Sequence, residues 1–180
     1  MTDQDLTVRR ARPEDIPGLV ASSTGLFAED AGTRDTNVDI DWPREHGAAS
    51  FTAALSDPAR LVLAAVHRGE VVGHLTGSVT EPSAMRPVKA ATLVSMYVRP
   101  AHRRARAGGR MVEEFLAWAT AQGAAQVEVT AYCANTEAIR FYERQGFTAQ
   151  FLTLRHPLRH PGGGKPEVEP AANGKTDNVS

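Results

Sequence analysis

The stretch LVSMYVRPAHRRARAGGRMVEEFLAWA, which runs from Leu93 to Ala119, holds three patterns in succession. Its start belongs to the apolar segment Ala90–Val98, which is typical of a buried strand. The segment Arg99–Arg110 follows and contains five arginines and two adjacent glycines. Apolar residues then recur at helical spacing and predict one buried face of a helix that ends near Gly123: Met111, Val112, Phe115, Leu116 and Ala119.

This order of strand, basic glycine-containing loop and helix start is a physical arrangement that binds anions. Backbone N–H groups at a helix N-terminus have no partner within the helix, and the helix dipole favours negative charge there. The alternative is a solvated basic loop without a ligand, which a short motif alone does not exclude. The segment therefore predicts a phosphate site only together with other motifs.

Outside this stretch the sequence predicts further strands and helices. Leu6–Arg10 alternates as a strand does, and Pro13 opens a helix whose apolar face includes Leu19. The remaining expected elements are a helix around Phe51, a hairpin of Arg60–Val66 with Val71–Thr80, a strand from Val127, a helix from Asn135 to Arg144, and a last strand over Phe147–Leu154. Interleaved strands and helices predict an α/β fold with a mixed central sheet flanked by helices.

Composition limits the classes of protein that fit. The 180 residues predict one domain over residues 1–156, with a disordered tail over 157–180 that is rich in proline and glycine. A net charge of −1 argues against a protein that wraps nucleic acid. The single cysteine, Cys133, excludes an internal disulfide and a cysteine-rich metal site, and we expect no metal. Without a signal peptide or membrane span, a reducing cytoplasm fits best.

Two separated motifs are informative together. They are Met96-Tyr97-Val98-Arg99-Pro100-Ala101-His102-Arg103 with the loop ending at Gly108, and Asn135-Thr136-Glu137-Ala138-Ile139-Arg140-Phe141-Tyr142-Glu143-Arg144-Gln145-Gly146-Phe147. In this order they resemble the GNAT superfamily of acyl-CoA N-acyltransferases. The resemblance covers roughly residues 6 to 154 and implies a GNAT-like fold with acetyl-CoA as acyl donor. It also implies that the backbone of Met96, Tyr97 and Val98 pairs with the pantetheine arm, that the loop holds the pyrophosphate, and that Asn135 and Tyr142 line the thioester. The expected loop residues are Arg103, Arg104, Ala105, Arg106, Ala107, Gly108 and Gly109.

The loop departs from the family pattern at one position. Arg106 stands where the family has its first glycine, whereas Gly108 occupies the place of the second. A shifted register beginning at Arg104 restores small residues but places Glu113 on the apolar helix face, so we keep the register that begins at Arg103. If Arg106 requires a positive φ, it costs roughly 1–2 kcal/mol, and otherwise its guanidinium can reach phosphate.

The general base is a second departure, because Ala90–Val98 carries no carboxylate. An alkylammonium with a pKa of about 10.4 must lose a proton before it attacks, so a base or a water chain is required. His74 on the second hairpin strand is one candidate, and a structural histidine within the sheet is the alternative. Glu81, Asp39 and Asp41 are further candidates in neighbouring loops.

Tyr142 is the candidate general acid. A phenol with a pKa of about 10 can protonate the departing CoA thiolate, although its neighbours in the helix also suit an aromatic packing role. Asn135 can cap the helix and contact a ligand at once. Cys133 has no partner pattern for a nucleophile, and we interpret it as a buried or semi-buried thiol.

Three functions remain at this stage. The first is an N-acetyltransferase that moves acetyl from acetyl-CoA to a primary amine of a small molecule or protein in a ternary complex. The second is a catalytically weak CoA-binding sensor of the same fold, and the third is an RNA-contacting patch at Arg99–Arg110. We expect the segment Glu29–Glu45 to be an acidic loop, because it carries six acidic and two basic residues. This charge balance favours a cationic acceptor. The oligomeric state stays open, a homodimer included.

Overall fold

The computed structural model describes residues 5–103 and 105–158. Within them a five-stranded mixed sheet runs in the order β1-β2-β3-β4-β5. The strands are β1 (Leu6–Arg10), β2 (Arg60–His67), β3 (Glu70–Thr80), β4 (Ala90–Val98) and β5 (Gln126–Val129). The helices are α1 (Ile16–Leu26), α2 (Gly32–Arg34), α3 (Trp42–Ser56), α4 (Ala107–Ala121) and α5 (Thr136–Arg144). The predicted fold class, a mixed sheet with flanking helices, is confirmed.

The sheet is antiparallel from β1 to β4, whereas β4 and β5 are parallel. Its two faces bury separate apolar clusters because side chains alternate along each strand. One cluster joins Leu61, Leu63 and Leu75 to α4, and the other joins Val62 and Val66 to α1 and α3. The sheet is therefore covered on both faces.

Helix α4 forms as its apolar spacing predicts. Met111, Val112 and Phe115 are fully buried against the sheet. Gly123 follows the helix with a φ of +76°, a left-handed conformation that glycine adopts without strain. The helix that follows the basic loop, and its end at Gly123, are thereby confirmed.

The entry to α1 is fixed by an ion pair. Arg9 donates to Asp15 through two nitrogens at 2.6 and 3.0 Å, and the Arg12 N–H donates to the same carboxylate at 2.8 Å. The Arg9 hydrogen bond lowers the pKa of Asp15 more than burial raises it. Pro13 opens a short 3-10 turn before α1 rather than the helix itself, since α1 begins at Ile16.

Three expectations require correction. Residues 147–154 form no strand, and Phe151, Leu152 and Leu154 are exposed; apolar composition suits a strand, but a strand also needs a backbone partner. The acidic segment is largely helical rather than a loop, because α1 continues into a π-helical turn over Phe27–Ala31 and α3 already begins at Trp42. Cys133 is exposed in the turn before α5 rather than buried.

The compact unit of the chain ends at Thr148, and a second unit begins at Ala149. In the second unit, residues 149–158 adopt neither helix nor strand. The predicted disordered tail over 157–180 falls almost wholly outside the described residues. No helix in the described ranges is long and apolar enough to cross a bilayer.

Candidate functional site

The two parallel strands, β4 and β5, lie at one side of the sheet and separate part of the way along β4. β4 pairs with β5 only from Ala90 to Leu93, although β4 continues to Val98. On its other side the β3 pairing skips Val94, so that Thr76 lies opposite Ser95 while Gly77 lies opposite Leu93. Val94 is thus a bulge residue and is 53% exposed. Beyond it, one edge of β4 faces a cleft, where its amide groups can pair with an extended ligand.

This cleft has a volume of about 1050 Å³, which is large enough for a sizeable small-molecule ligand. It brings together most residues that the sequence predicts for the site. Those in its lining are Met96, Tyr97, Val98, Arg103, Arg106, Gly108, Gly109, Asn135 and Tyr142. Ala105, Ala107 and His74 do not belong to the lining, and Arg104 lies outside the described residues.

The basic loop closes one end of the cleft. Pro100–His102 forms a 3-10 turn, and α4 begins at Ala107, so the unpaired N–H groups of its first turn face this end. Arg106 occupies the N-cap position with a φ of +56°, a left-handed conformation that favours glycine. A Cβ on Gly108 would lie 3.3 Å from Phe141 Cζ, so a larger residue would crowd α5.

Arg103 points away from the helix start. Its Nε donates to the Val98 carbonyl at 2.9 Å, and its Nη2 donates to Glu29 Oε2 at 2.5 Å. The guanidinium also lies 5.5 Å from the centre of the Tyr97 ring. Arg103, which the resemblance places at the pyrophosphate, therefore links the basic loop to the π-helical turn after α1.

The π-helical turn adds the carboxylates of Glu29 and Asp30 to the lining of the cleft, and we call this part of the cleft its acidic end. The Tyr97 hydroxyl also donates to Glu29 Oε2, at 3.2 Å, and the bond from Arg103 lowers the pKa of Glu29. Asp30 Oδ1 accepts from Asn135 Nδ2 at 2.8 Å and from Arg34 at 2.7 Å. The bonds to Glu29 end on Oε2 and those to Asp30 end on Oδ1, so within the described residues Glu29 Oε1 and Asp30 Oδ2 remain to accept from a cationic group.

Asn135 performs the cap that its sequence context predicts. Its Oδ1 accepts from the Ala138 N–H at 3.1 Å, while its Nδ2 reaches Asp30. One side chain thus fixes the start of α5 and ties it to the acidic end of the cleft. The two roles proposed for Asn135, cap and cleft contact, are compatible in this geometry.

Tyr142 lies about two turns along α5 from this cap. Its ring packs edge-on against Phe141 at 5.3 Å and Phe147 at 5.7 Å. Burial, together with the charge of Asp30, raises the pKa of Tyr142 to about 12. The phenol therefore keeps its proton throughout the neutral range and meets the cleft as a hydrogen-bond donor.

His74 is fully buried on the face of the sheet that packs against α1 and α3. Its Nδ1 lies 2.8 Å from Ser22 Oγ, and its Nε2 lies 3.2 Å from Ser95 Oγ. Burial lowers the pKa of His74 to about 4, so the imidazole is neutral at pH 7. A base must contact the substrate, and His74 does not line the cleft. Of its hydrogen-bond partners Ser22 and Ser95, Ser95 does.

The other carboxylates considered as bases lie elsewhere. Glu81 pairs with Lys89 at 2.7 Å, and Asp41 pairs with Arg44 in the turn that opens α3. Neither these acids nor Asp39 line the cleft, whereas Glu29 and Asp30 do. The acidic segment contributes two carboxylates to the cleft lining, but its sequence pattern did not show which of its acids the helical turn would present there.

Comparison with known proteins assigns the family. The model of the Acetyltransferase (GNAT) family matches residues 27–147, and the chain belongs to this family. No curated protein sequence matches the chain. In the part of the chain that the structure describes, no group of three histidine, cysteine, aspartate or glutamate side chains is placed to hold a metal ion.

Solved structures share the fold at low sequence identity. A tetramutant of the BH1408 protein from Bacillus halodurans is 19% identical with a TM-score of 0.72, covering 84% of this chain and 99% of that one. An aminoglycoside acetyltransferase from an uncultured soil metagenomic sample, in complex with sisomicin, is 19% identical with a TM-score of 0.65 and coverages of 87% and 99%. The aminoglycoside N-acetyltransferase AAC(6')-Iy in complex with CoA is 14% identical with a TM-score of 0.67 and coverages of 86% and 95%.

Proposed function

We propose that this protein transfers an acetyl group from acetyl-CoA to a primary amine of a cationic small molecule or protein, within a ternary complex. The observation that carries the proposal is the separation of β4 from β5 beside a cleft that both the basic loop and two carboxylates line. The basic loop suits a polyphosphate donor, and the carboxylates suit an ammonium acceptor. The family membership and the CoA bound to one structural neighbour support the same donor.

The donor fits the basic end by chemistry and by backbone geometry. The amides of Met96, Tyr97 and Val98 are proposed to pair with the pantetheine arm along the open edge of β4. The pyrophosphate is proposed to bind the loop from Arg103 to Gly109, chiefly the first N–H groups of α4, with Arg106 beside them. Arg103 contributes by holding the loop to Glu29 rather than by contacting phosphate.

The reaction is a direct acyl transfer. The acceptor ammonium first loses a proton to water, because only the free amine has a lone pair for attack. The nitrogen lone pair forms a bond to the thioester carbonyl carbon, the carbon–sulfur bond breaks, and sulfur keeps its electron pair. One further proton leaves the nitrogen for water, and sulfur receives a proton from the Tyr142 hydroxyl, which solvent reprotonates. The products are an amide and the free thiol of CoA.

The acceptor is proposed to be cationic because the carboxylates of Glu29 and Asp30 line the cleft. Arg103, Asn135 and Arg34 hold these carboxylates in place through one oxygen each, so the second oxygen of each can accept from an ammonium group. Two structural neighbours are aminoglycoside acetyltransferases, whose acceptors carry several amines. A second ammonium group on the acceptor would thus bind while the first one reacts.

The donor site is tested by calorimetry with acetyl-CoA. We expect Gly108→Val to weaken binding, because the side chain would crowd Phe141 and block the approach of phosphate to the backbone. Gly47→Val is the matched control, since a Cβ there also lies 3.3 Å from a neighbour, Val20 Cγ2, but in the packing of α3 on α1. Equal affinities of the two variants for acetyl-CoA would contradict the donor site.

The role of Tyr142 is tested by steady-state kinetics. Tyr142→Phe removes only the donor to sulfur, so we expect kcat to fall by about 10²- to 10⁴-fold with the affinity for acetyl-CoA unchanged. Tyr132→Phe removes a phenol outside the cleft lining and serves as control. Turnover of Tyr142→Phe at the wild-type rate from about pH 6 to 9 would leave this side chain only its packing role.

The acidic end is tested with paired amines. Asp30→Asn keeps the shape of the side chain, and we expect it to raise KM for a dicationic amine more than for a monocationic one. The same preference should weaken as salt is added, because exposed charges are screened over about 8–10 Å. Asp39→Asn, in the exposed turn before α3, is the control. Equal changes in KM for both amines in Asp30→Asn would remove this acid from acceptor choice.

A catalytically weak CoA-binding sensor is the second candidate. It is favoured by the left-handed Arg106 in the loop and by the lack of a carboxylate on β4. Acetyl-CoA binding without release of free thiol, over a panel of mono- and polycationic amines, would support the sensor. Cytoplasmic location, a homodimer and the lack of nucleic-acid binding stay predictions from the sequence.

A further inference from the structure

Four polar side chains form a continuous hydrogen-bonded column from the inside of α1 to the cleft. Ser22 on α1 contacts His74, His74 contacts Ser95, and the hydroxyls of Ser95 and Thr76 lie 2.7 Å apart. Ser22, His74 and Thr76 are all buried, and Phe51 packs edge-on against the imidazole at 6.0 Å. Ser95 is the member of this column that reaches the cleft.

Burying such a column brings little stability. A buried polar group that makes its hydrogen bonds roughly recovers its desolvation cost, and an apolar set of similar shape would be as stable. The opposite face of the sheet is filled with apolar side chains alone at the matching positions, such as Leu75 beside Leu63. The column therefore has a use other than packing, and that use lies where the column meets the cleft.

The position of Ser95 identifies that use. It follows the bulge residue Val94, where β4 leaves β5, and its side chain points to the α1 face, as does that of Tyr97 two residues later. That face also carries the π-helical turn with Glu29 and Asp30. Ser95 is thus the hydroxyl of β4 on the acceptor side of the strand, beside the open edge proposed for the donor.

We propose that Ser95 Oγ accepts a hydrogen bond from the attacking amine of the acceptor and that His74 and Thr76 orient it for this purpose. The inference rests on the acetyl transfer proposed above. In this arrangement the Ser95 O–H donates to His74 Nε2, and the Thr76 O–H donates to one lone pair of Ser95 Oγ. The second lone pair faces the cleft and takes an N–H of the free amine, which turns the nitrogen lone pair toward the thioester carbon.

His74 is then a positioning residue that acts through Ser95. It carries its proton on Nδ1, where it donates to Ser22 Oγ, and offers Nε2 as an acceptor. A buried neutral imidazole of low basicity serves this purpose well, because it neither takes up a proton nor changes its hydrogen bonds across the neutral range. The chemistry at the amine therefore requires no proton transfer to His74.

The kinetic test compares the presence of a hydroxyl with its absence. Ser95→Ala should lower kcat about 10- to 100-fold while the affinity for acetyl-CoA stays at the wild-type value, because a misdirected nucleophile reacts slowly. Ser95→Thr keeps the hydroxyl and should recover most of the loss. Unchanged kcat in Ser95→Ala, or no recovery in Ser95→Thr with its fold intact by circular dichroism, would overturn the proposal.

Two neighbouring serines provide a matched pair on the far side of His74. Ser22→Ala removes the group that holds Nδ1, whereas Ser23→Ala removes another buried hydroxyl of α1 outside the column. We expect kcat to fall in Ser22→Ala and to stay unchanged in Ser23→Ala, and the pH dependence of kcat/KM to keep the same shape in both. Loss of the acid limb of that profile in His74→Gln would instead make His74 the base and overturn the positioning role.

A measurement without turnover separates this inference from the proposed function. The ¹⁵N signals of His74 report which ring nitrogen carries the proton, and we expect Nδ1–H with CoA bound, between about pH 5 and 8. Addition of an acceptor amine should shift the Nε2 signal, and Ser95→Ala should abolish that shift. A proton on Nε2 would overturn the proposal, whereas failure of wild-type protein to acetylate any amine, with the Nδ1–H form and the shift observed, would overturn only the acetyl transfer.

Discussion

The two faces of the sheet bury different kinds of side chain. Beneath α4 the core consists of apolar residues such as Leu63, Leu75 and Phe115. Beneath α1 and α3, apolar residues share the interior with His74 and Thr76, the two buried polar side chains that the described strands carry. The side chains on the face toward α4 contribute to stability by apolar packing. Those on the face toward α1 also contribute to stability, and in addition they hydrogen-bond to Ser95, which lines the cleft.

The difference is set by the register of β3 and β4. Because side chains alternate, His74 and Thr76 share one face, and Leu75 between them points to the other. The bulge at Val94 restores the same face for Ser95 after β4 leaves β5. The bulge thus lies where the β4–β5 pairing ends and places Ser95 on the face of His74 and Thr76.

The largest effect is expected from the apolar face. Phe115→Ala removes a fully buried ring that packs against Gly77, and it should lower the free energy of unfolding by about 3–5 kcal/mol in urea denaturation. Phe151→Ala, at a side chain that is 86% exposed, should change it by less than about 0.5 kcal/mol. A loss of under about 1 kcal/mol in Phe115→Ala would contradict the assignment of stability to this face.

The second effect is a pH dependence that belongs to the polar face. His74 has a pKa of about 4 when folded and an ordinary value of 6.5 when unfolded, so the unfolded chain binds the extra proton between these values. The contribution of neutral His74 to the free energy of unfolding is therefore fully present above pH 6.5. It falls by about 3 kcal/mol as the pH is lowered toward 4. Asp15, whose pKa is lowered below 3.8 by Arg9, contributes only below this window.

The measurement is the free energy of unfolding at about pH 7 and pH 5, in wild type and in His74→Gln. Wild type should lose stability between the two values, and His74→Gln should lose much less. His46→Gln, at an exposed histidine of α3, controls for the removal of an imidazole. If wild type and His74→Gln show parallel losses, another group causes them and His74 is not held neutral by burial.

Local sequence predicted the elements that depend on local chemistry. Strand β4 agrees with the predicted Ala90–Val98, and Asn135 caps α5 as its spacing to Ala138 requires. The apolar spacing after the basic loop likewise predicted α4 and its end at Gly123. In each case the signal lies within about one helical turn or one strand, where periodicity and capping act.

What the sequence could not predict depends on distant pairing. Ser95 was not predictable, because a serine within an apolar strand carries no sequence signal until the bulge places it opposite Thr76. The sequence could not show that Glu29 and Asp30, rather than Asp39 and Asp41, line the cleft. The π-helical turn that presents them continues α1 and has no sequence signal of its own. The strand expected at 147–154 failed for the opposite reason, since its composition was suitable but no pairing followed.

The smallest effect is expected at two arginines outside the sheet, one in a turn away from the cleft and one in the cleft lining. Arg68 and Arg106 both adopt left-handed backbone conformations, with φ of +51° and +56°. Arg68 lies in the turn between β2 and β3, whereas Arg106 opens α4 at the basic end of the cleft. A non-glycine residue in this conformation costs roughly 1–2 kcal/mol, and the greater freedom of glycine in the unfolded chain offsets part of any gain on replacement.

Both Arg68→Gly and Arg106→Gly should therefore raise the free energy of unfolding by a similar amount, about 0.5–1 kcal/mol. Their effects on acetyl-CoA should differ, because only Arg106 lines the cleft. Removing that guanidinium takes away a partner for phosphate, so Arg106→Gly should bind acetyl-CoA more weakly and with a smaller dependence on salt, whereas Arg68→Gly should bind as wild type does. Binding is measured by calorimetry at low and high salt. Tighter binding of acetyl-CoA by Arg106→Gly would show instead that the arginine obstructs the loop. The strained backbone at this helix start would then improve neither the stability of the fold nor the binding of the donor.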